Sequence, residues 1–476
     1  MHDTGPFNFK TNIVKALADK QLRRNLKSAM DGLKVKRRAV FADADELDAL
    51  RAQGEAIKRR ALSRLPDLLT RLEARCTANG IQVHWAETAA DANRIVLNIM
   101  RQHGAEMMVK GKSMVSEEMG LNHFLEDQGM EVVETDLGEF IIQLAGEPPS
   151  HIIVPAVHKN KDQIARIFQE KIPDTPYTED VDELNALARK TLRRKFYNGQ
   201  VGLSGVNFAV AETGTLCLVE NEGNGRMCTT VPPVHIAVMG LEKVVEKLEE
   251  VPPLLRLLTG SATGQLISTY FNMITSPRRP GEKDGPREVH LLILDNGRSH
   301  MLADNELRQA LQCIRCGTCL NHCPVYVRIG GHAYGFVYPG PIGEVITPQL
   351  EGIEKAGELA SASSLCQACG EVCPVRIPLP DLIRRIRREG VGRGSDCCVE
   401  GYGSKRGPLE VFAWKAWALV NSHPRLNAVN NRVLAKIGSR LPRLGPLAAW
   451  TTGRSAPQFA PKSLHQLVDE EGVPHD

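Results

Sequence analysis

The chain of 476 residues lacks any apolar run near the eighteen or more residues that a membrane-spanning helix needs. Its longest apolar runs, such as 151–157 and 289–294, have the length of buried strands. Residues 1–20 lack the apolar core of an export signal. A cytoplasmic protein is therefore expected, at most peripheral to the inner face of a membrane. Charge is nearly balanced, 59 Lys and Arg against 56 Asp and Glu, and no long basic stripe with interleaved aromatics occurs. Nothing in that balance asks for nucleic acid as a partner. Dinucleotide fingerprints, zinc-binding helices and a Ser–His–Asp order are also missing, which removes the commonest readable enzyme classes.

What remains is an ordinary globular composition, 42% hydrophobic and 24% charged, long enough for two or three domains. Of its twelve cysteines, seven fall between 313 and 373 and two, Cys397 and Cys398, just beyond; Cys76, Cys217 and Cys228 are scattered and read as core thiols. Cys313, Cys316, Cys319 and Cys323 are followed at once by Pro324 and Val325. Fifty positions on, the pattern returns as Ser363, Cys366, Cys369, Cys373, Pro374 and Val375. This is an internal duplication of a cluster-binding loop. Thiolates two residues apart in a tight loop converge on three corners of an iron–sulfur cube, and the cysteine before proline ligates the other cluster.

On that rule Cys313, Cys316, Cys319 and Cys373 hold one [4Fe–4S] cluster, while Cys366, Cys369 and Cys323 hold a second. The fourth corner of the second falls on Ser363. Three alternatives stay open: Ser363 ligates through oxygen, the second cluster is [3Fe–4S], or another residue approaches. Structural zinc fits less well, because it asks for two separated Cys-x2-Cys pairs. Disulfides do not suit a chain without an export signal.

Residues 1–78 are read as an N-terminal helical segment, with Leu17, Leu22, Leu26, Met30 and Leu33 at three- and four-residue steps. From Gly80 the pattern changes to alternating strands and helices. Strands are expected at 81–85, 105–109, 131–133, 152–154, 202–212, 215–219, 234–239 and 290–294. Helices are expected at 91–102, 122–128, 181–196 and 241–248, and residues around Ile141 fit either state. Such alternation implies an α/β fold with helices covering a mostly parallel sheet. The forty-two residues between Cys323 and Cys366 suit a helical ferredoxin module, and the glycines of Gly330–Gly335 and Gly340–Gly343 suit a loop packed against a cluster. A basic helix end from Arg384 to Arg393 is either a solvated face or a docking site for an acidic partner. Residues 410–447 read as amphipathic helix carrying Trp414 and Trp417, followed by a loose tail.

Several stretches of the α/β part are more specific. Lys110-Gly-Lys-Ser-Met-Val-Ser-Glu-Glu118, Glu134-Thr-Asp-Leu-Gly-Glu139, Gly205-Val-Asn-Phe208, Asn221-Glu-Gly-Asn-Gly-Arg226 and Asp295-Asn-Gly-Arg298 resemble the LUD domain. Followed by Cys313-Ile-Arg-Cys-Gly-Thr-Cys319, they resemble the lactate utilization protein B family. The resemblance implies a three-layer domain related to sugar-phosphate isomerases and CoA transferases over 79–300, a ferredoxin-type segment over 301–395 and a C-terminal helical region over 396–476. It also implies a role in oxidising L-lactate to pyruvate beside two partners, a cysteine-rich iron–sulfur protein and a second LUD-domain protein. The electron acceptor is unspecified.

The residues alone leave the α/β part's chemistry open. Lysines at a strand's carboxyl end, Lys110 and Lys112, can hold a carboxylate or simply cap a helix. Glu212, Arg226 and Arg298 lie in glycine-rich stretches where they can grip a carboxylate or form buried ion pairs. A relay subunit and a self-contained hydroxy-acid oxidoreductase are therefore both compatible with the chain.

Overall fold

The computed structural model describes residues 8–111, 113–390, 408–438 and 458–472, with 448, 451 and 455. Lys112 and the pair Cys397–Cys398 lie outside the described residues. The chain opens on four helices, Phe9–Ala18, Lys20–Val40, Ala44–Ser63 and Leu65–Ala78. Asp19 and Asp43 start the second and third by accepting backbone N–H groups of the first turn, so polar residues set the boundaries and leucines set the buried stripe.

Among the described residues ten strands follow: β1 (Gln82–Ala86), β2 (Met107–Gly111), β3 (Glu131–Glu134), β4 (Val201–Gly205), β5 (Phe208–Val210), β6 (Thr215–Glu220), β7 (Val234–Gly240), β8 (Val244–Val245), β9 (Tyr270–Ile274) and β10 (Glu288–Leu294). Six form a wholly parallel sheet in the order β1-β10-β7-β4-β2-β3. Successive residues point to opposite faces, and the cores divide accordingly. Leu292 and Leu294 of β10, with Ile236 and Val238 of β7, pack under the helices Ala89–Gln102 and Leu121–Glu126. Leu291 and Ile293, with Ala237 and Met239, face the N-terminal helices and the cysteine-rich segment. Val109 and Val133 face the helices Leu137–Ala145, Lys161–Lys171 and Val181–Asn198. Both faces are covered, giving a three-layer α/β arrangement. The remaining strands form a mixed sheet in the order β8-β5-β6-β9.

The structure corrects four expectations. The stretch 202–212 is two strands in two sheets, turned at Asn207, whose side-chain oxygen accepts the N–H of Val219 at 2.9 Å. The stretch 241–248 is not a helix: Val244 and Val245 pair with Ala209 and Val210 between two 3-10 turns. Residues 152–154 form no strand, because the N–H groups of Ile153 and Val154 donate to the ring Nδ1 of His151, at 3.0 and 3.3 Å, instead of to a neighbouring strand. The glycines at 330–343 serve protein contacts, although Ile342 among them lines the cysteine cavity: Gly330 and Gly340 meet leucine side chains, a Cβ on Gly331 would lie 2.0 Å from the carbonyl oxygen of Ser150, and one on Gly343 1.7 Å from that of Tyr338. Residues near Ile141 are helical, capped by Asp136.

Candidate metal centre

The duplication in the sequence is a duplication in the backbone. A 3-10 turn, Leu307–Gln312, leads into the first cysteine loop and the helix Thr318–His322; another, Gly357–Ala362, leads into the second loop and the helix Ala368–Val372. Arg315 and Leu365 take left-handed φ angles of 62° and 56°, and Gly317 and Gln367 take 71° and 69°, again fifty positions apart. Such angles cost free energy for residues with a Cβ. Here they turn backbone donors toward the sulfur positions. The N–H of Arg315 donates to Cys313 Sγ at 3.4 Å, that of Tyr326 to Cys323 Sγ at 3.4 Å and that of Ile377 to Cys373 Sγ at 3.3 Å.

The two short helices pack on each other, which interleaves the halves. Cys313, Cys316, Cys319 and Cys373 line one small apolar cavity with Ile152, Ile342 and Ile377. Cys323, Cys366 and Cys369 form a neighbouring group whose charges act on one another, and Cys369 also acts on Cys319, so the groups adjoin. Cys366 is the exposed one. Burial, then the crowding of neighbouring thiols or a carboxylate, pushes Cys323 and Cys369 up to about 12. Burial likewise drives Cys316 and Cys319 upward, with the surrounding cysteines adding to it. Thiols so placed lose their protons to a bound cation rather than to water. Convergent thiols free of disulfides, served by backbone donors, fit an iron–sulfur cluster.

Cations gather beside the first thiol group. Arg51 Nε donates to the carbonyl of Cys373 at 3.0 Å, and Arg37 Nη2 to that of Val372 at 3.4 Å. Lys58 Nζ donates to the carbonyl of Glu242 at 2.7 Å, and Arg315 Nη2 lies 3.4 Å from the Glu242 carboxylate while its guanidinium stands 4.8 Å from the Tyr338 ring centre. Burial lowers Lys58 and Lys243 to about 8 against the pull of Glu242 and Cys313. In this buried group the cations Lys58, Lys243, Arg298 and Arg315 face Glu118 and Glu242, and Glu250, which also acts on Lys58, is itself paired with Arg60. The surplus of positive charge lies beside the first thiol group, where a thiolate-bound cluster would supply the missing negative charge.

Of the polar residues singled out in the α/β part, the described ones, Lys110, Glu212, Arg226 and Arg298, do not pair with one another. Lys110 is buried in ion pairs with Glu117 and Glu134; burial works against its charge, and the two carboxylates outweigh that and raise it. Arg298 holds Glu118 through Nη1 and Nη2 at 2.8 and 2.7 Å and Glu242 through Nε at 2.8 Å. Glu212 accepts the N–H of Leu248 at 3.3 Å, and Arg226 is exposed at a helix start. One open space adjoins their partners: a cavity of about 610 Å³ is lined by Glu117, Glu118, Glu134 and Glu139 among others. A cavity of about 510 Å³ sits past the carboxyl ends of β2, β3, β4 and β7, lined by Ser113, Asp136, Asn207, Glu220, Lys243 and Arg315 among others, where parallel sheets usually take ligands. Ile152 and Arg315 line this cavity and the cysteine cavity alike. Reading the sequence missed Lys243 and Tyr338, which carry no periodic or spacing signal; Arg315 stood in plain view inside the first cysteine loop.

One histidine and the basic helix also find their places. His151 Nε2 meets Asn321 Oδ1 at 2.9 Å, tying the α/β part to the first loop, and burial lowers it to about 4. In the helix Leu379–Glu389, Arg385 is paired with Asp304 and Glu389, and Arg387 donates to the carbonyls of Ala360 and Ser363, so both are internal. Among the described residues no helix is long and apolar enough to cross a membrane.

Comparison with known proteins matches three regions of the chain. Residues 69–294 match the LUD domain, 309–377 a 4Fe-4S dicluster domain, and 385–473 the C-terminal region of lactate utilisation protein B. The chain is 42% identical to the uncharacterized electron transport protein YkgF of Escherichia coli over 96% of this chain and 95% of that one. It is 41% identical to lactate utilization protein B of Shouchella clausii, covering 94% of each, and 42% identical to that of Bacillus subtilis, covering 86% of this chain and 84% of that one. It carries iron–sulfur clusters, and it belongs to the lactate utilization protein B family.

Proposed function

We propose that the chain is the electron-relaying subunit of a system that oxidises L-lactate to pyruvate, with Cys313, Cys316, Cys319 and Cys373 holding a first cluster and Cys323, Cys366 and Cys369 a second. The observation that carries this reading is the interleaving: Cys373 shares its cavity with the cysteines of the other half, and the two thiol groups adjoin. An iron–sulfur cluster, when bound, takes up and passes on single electrons. The residues around it orient the sulfurs through backbone donors, exclude water with Ile152, Ile342 and Ile377, and balance charge with Arg51, Arg315 and Lys243. Exposure of Cys366 makes the second group the natural contact point for a redox partner. The relatives named for lactate utilization supply the substrate, and a cytoplasmic setting suits so many free thiols. Partners of this subunit would be a cysteine-rich iron–sulfur protein and a second LUD-domain protein.

The cavity beside Lys243 and Arg315 favours a second reading, in which the chain itself binds a hydroxy acid at the carboxyl ends of the strands. Anaerobically purified protein, offered L-lactate and an artificial electron-accepting dye, separates the two. Dye reduction only after partner subunits are added supports the relay. Dye reduction by the chain alone supports the second reading, and none under either condition sinks both.

A further inference from the structure

The helix Gly340–Leu350 lies between the halves of the cysteine repeat. It packs on Thr318–His322, which ends at Cys323, and on Gly357–Ala362, which ends at Ser363. Glu344 projects from it with no solvent exposure at all, and neither carboxyl oxygen has a hydrogen-bond partner among the described residues. Its helix neighbours Ile342, Val345 and Ile346 are apolar and buried. A carboxyl group left unpartnered in such a place is costly unless a proton or a cation satisfies it. Arg387 is the cation whose charge reaches Glu344, yet its guanidinium is hydrogen-bonded to the carbonyls of Ala360 and Ser363.

The surroundings of Glu344 are those of the second thiol group. Its charge acts on both Cys323 and Cys369, in each case more strongly than that of Cys366, their own fellow in the group. This group is the one short of a thiol. Ser363 occupies the place of Cys313, and its Oγ accepts the N–H of Leu365 at 3.1 Å as Cys313 Sγ accepts that of Arg315. A serine hydroxyl must give up a proton to match a thiolate in charge, and it does so far less readily than a carboxyl group.

We propose that Glu344 is the fourth ligand of the second cluster, a carboxylate oxygen taking the corner that the repeat leaves without a cysteine. The proposal rests on the reading that Cys323, Cys366 and Cys369 hold that cluster. A ligated carboxylate accounts at once for the missing thiol and for a buried acid without a partner. It also makes the second cluster a [4Fe–4S] cluster with one chemically distinct iron.

Iron and sulfide analysis with low-temperature EPR and Mössbauer spectroscopy, on the full chain purified without oxygen, tests this. Wild-type protein is expected to hold about eight irons, as two cubanes require, with one iron of oxygen-ligand character. Glu344→Ala should lose one iron and show the signal of an oxidised three-iron cluster. Ser363→Ala should keep the wild-type spectrum, and Glu344→Cys should restore eight irons with an all-sulfur second cluster. The proposal is overturned if Ser363→Ala alone causes the conversion, or if the wild type already holds a three-iron cluster. Should Glu344→Ala not fold, a wild-type Mössbauer spectrum without an oxygen-ligated iron overturns it equally. A chain holding about four irons, or none, would instead refute the two-cluster reading beneath it.

Discussion

Arg51 donates its Nε–H to the carbonyl oxygen of Cys373 over 3.0 Å, which places a guanidinium from the N-terminal helices beside a proposed iron ligand from the far end of the repeat. Reduction adds negative charge to a cluster, and a nearby cation stabilises the reduced form. Arg51→Gln and Lys243→Met should therefore lower the midpoint potential of the first cluster, each by roughly 30–60 mV, a three- to tenfold change in a one-electron equilibrium. The second cluster should move much less. Redox titration followed by EPR measures both, and an unchanged first potential would remove these cations from the tuning of the site.

Cys316→Ser takes one sulfur from the first group and leaves the second intact. About four irons per chain should be lost, as one cubane accounts for, and the remaining spectrum should be that of the second cluster alone. Loss of all iron would mean that the second group cannot hold metal by itself.

Arg298 has its guanidinium committed to Glu118 and Glu242, and it is 1% exposed. Its replacement by Met removes the charge and leaves two buried carboxylates short of a partner. Such losses cost about 3–5 kcal/mol. Denaturant unfolding of the anaerobic protein should show a drop of that order, while Arg226→Met, at an exposed position, should stay within about 0.5 kcal/mol of the wild type.

His235 is fully buried, its Nε2 2.9 Å from Ser204 Oγ, and burial, with His290 adding to it, lowers it to about 3. Its folded form stays neutral where the unfolded chain takes up a proton, so the stability it confers is present above the unfolded value of 6.5 and is lost as pH falls below it. Glu139, raised by burial and by Glu134, works in the opposite sense over the same range. The test is therefore a comparison. Between pH 6.5 and 5, wild type should lose stability faster than His235→Gln by up to about 1.4 kcal/mol per pH unit; equal slopes would show that His235 titrates normally.

The parts of this molecule that could be read from residues alone are those with a period. Leucine steps announced the N-terminal helices, and β-branched runs announced β1, β3, β7 and β10 to within a few residues. The fifty-residue offset announced two cysteine loops whose backbones repeat even at Arg315 and Leu365. What escaped notice depended on partners distant in the chain. His151 draws away the donors of residues 153 and 154 that a strand would need, and Val244 and Val245 are strand because Ala209 and Val210 stand opposite. Lys243, Tyr338 and Glu344 acquire meaning only from what folding sets beside them. Conversely, Lys110 and Arg298 stood open between ligand grip and internal pairing, because strongly charged residues in glycine-rich company look alike whether their partner is a substrate or another side chain.

Cys373 closes the same cavity as Cys313, sixty residues earlier in the chain. A ribosome releasing this protein must therefore expose both loops, and everything strung between them, before either nest is complete. Any machinery that delivers iron to this first nest meets an all-or-nothing recipient: a truncated or stalled product ending before Cys373 would offer open, oxidisable thiols there instead of a loaded centre.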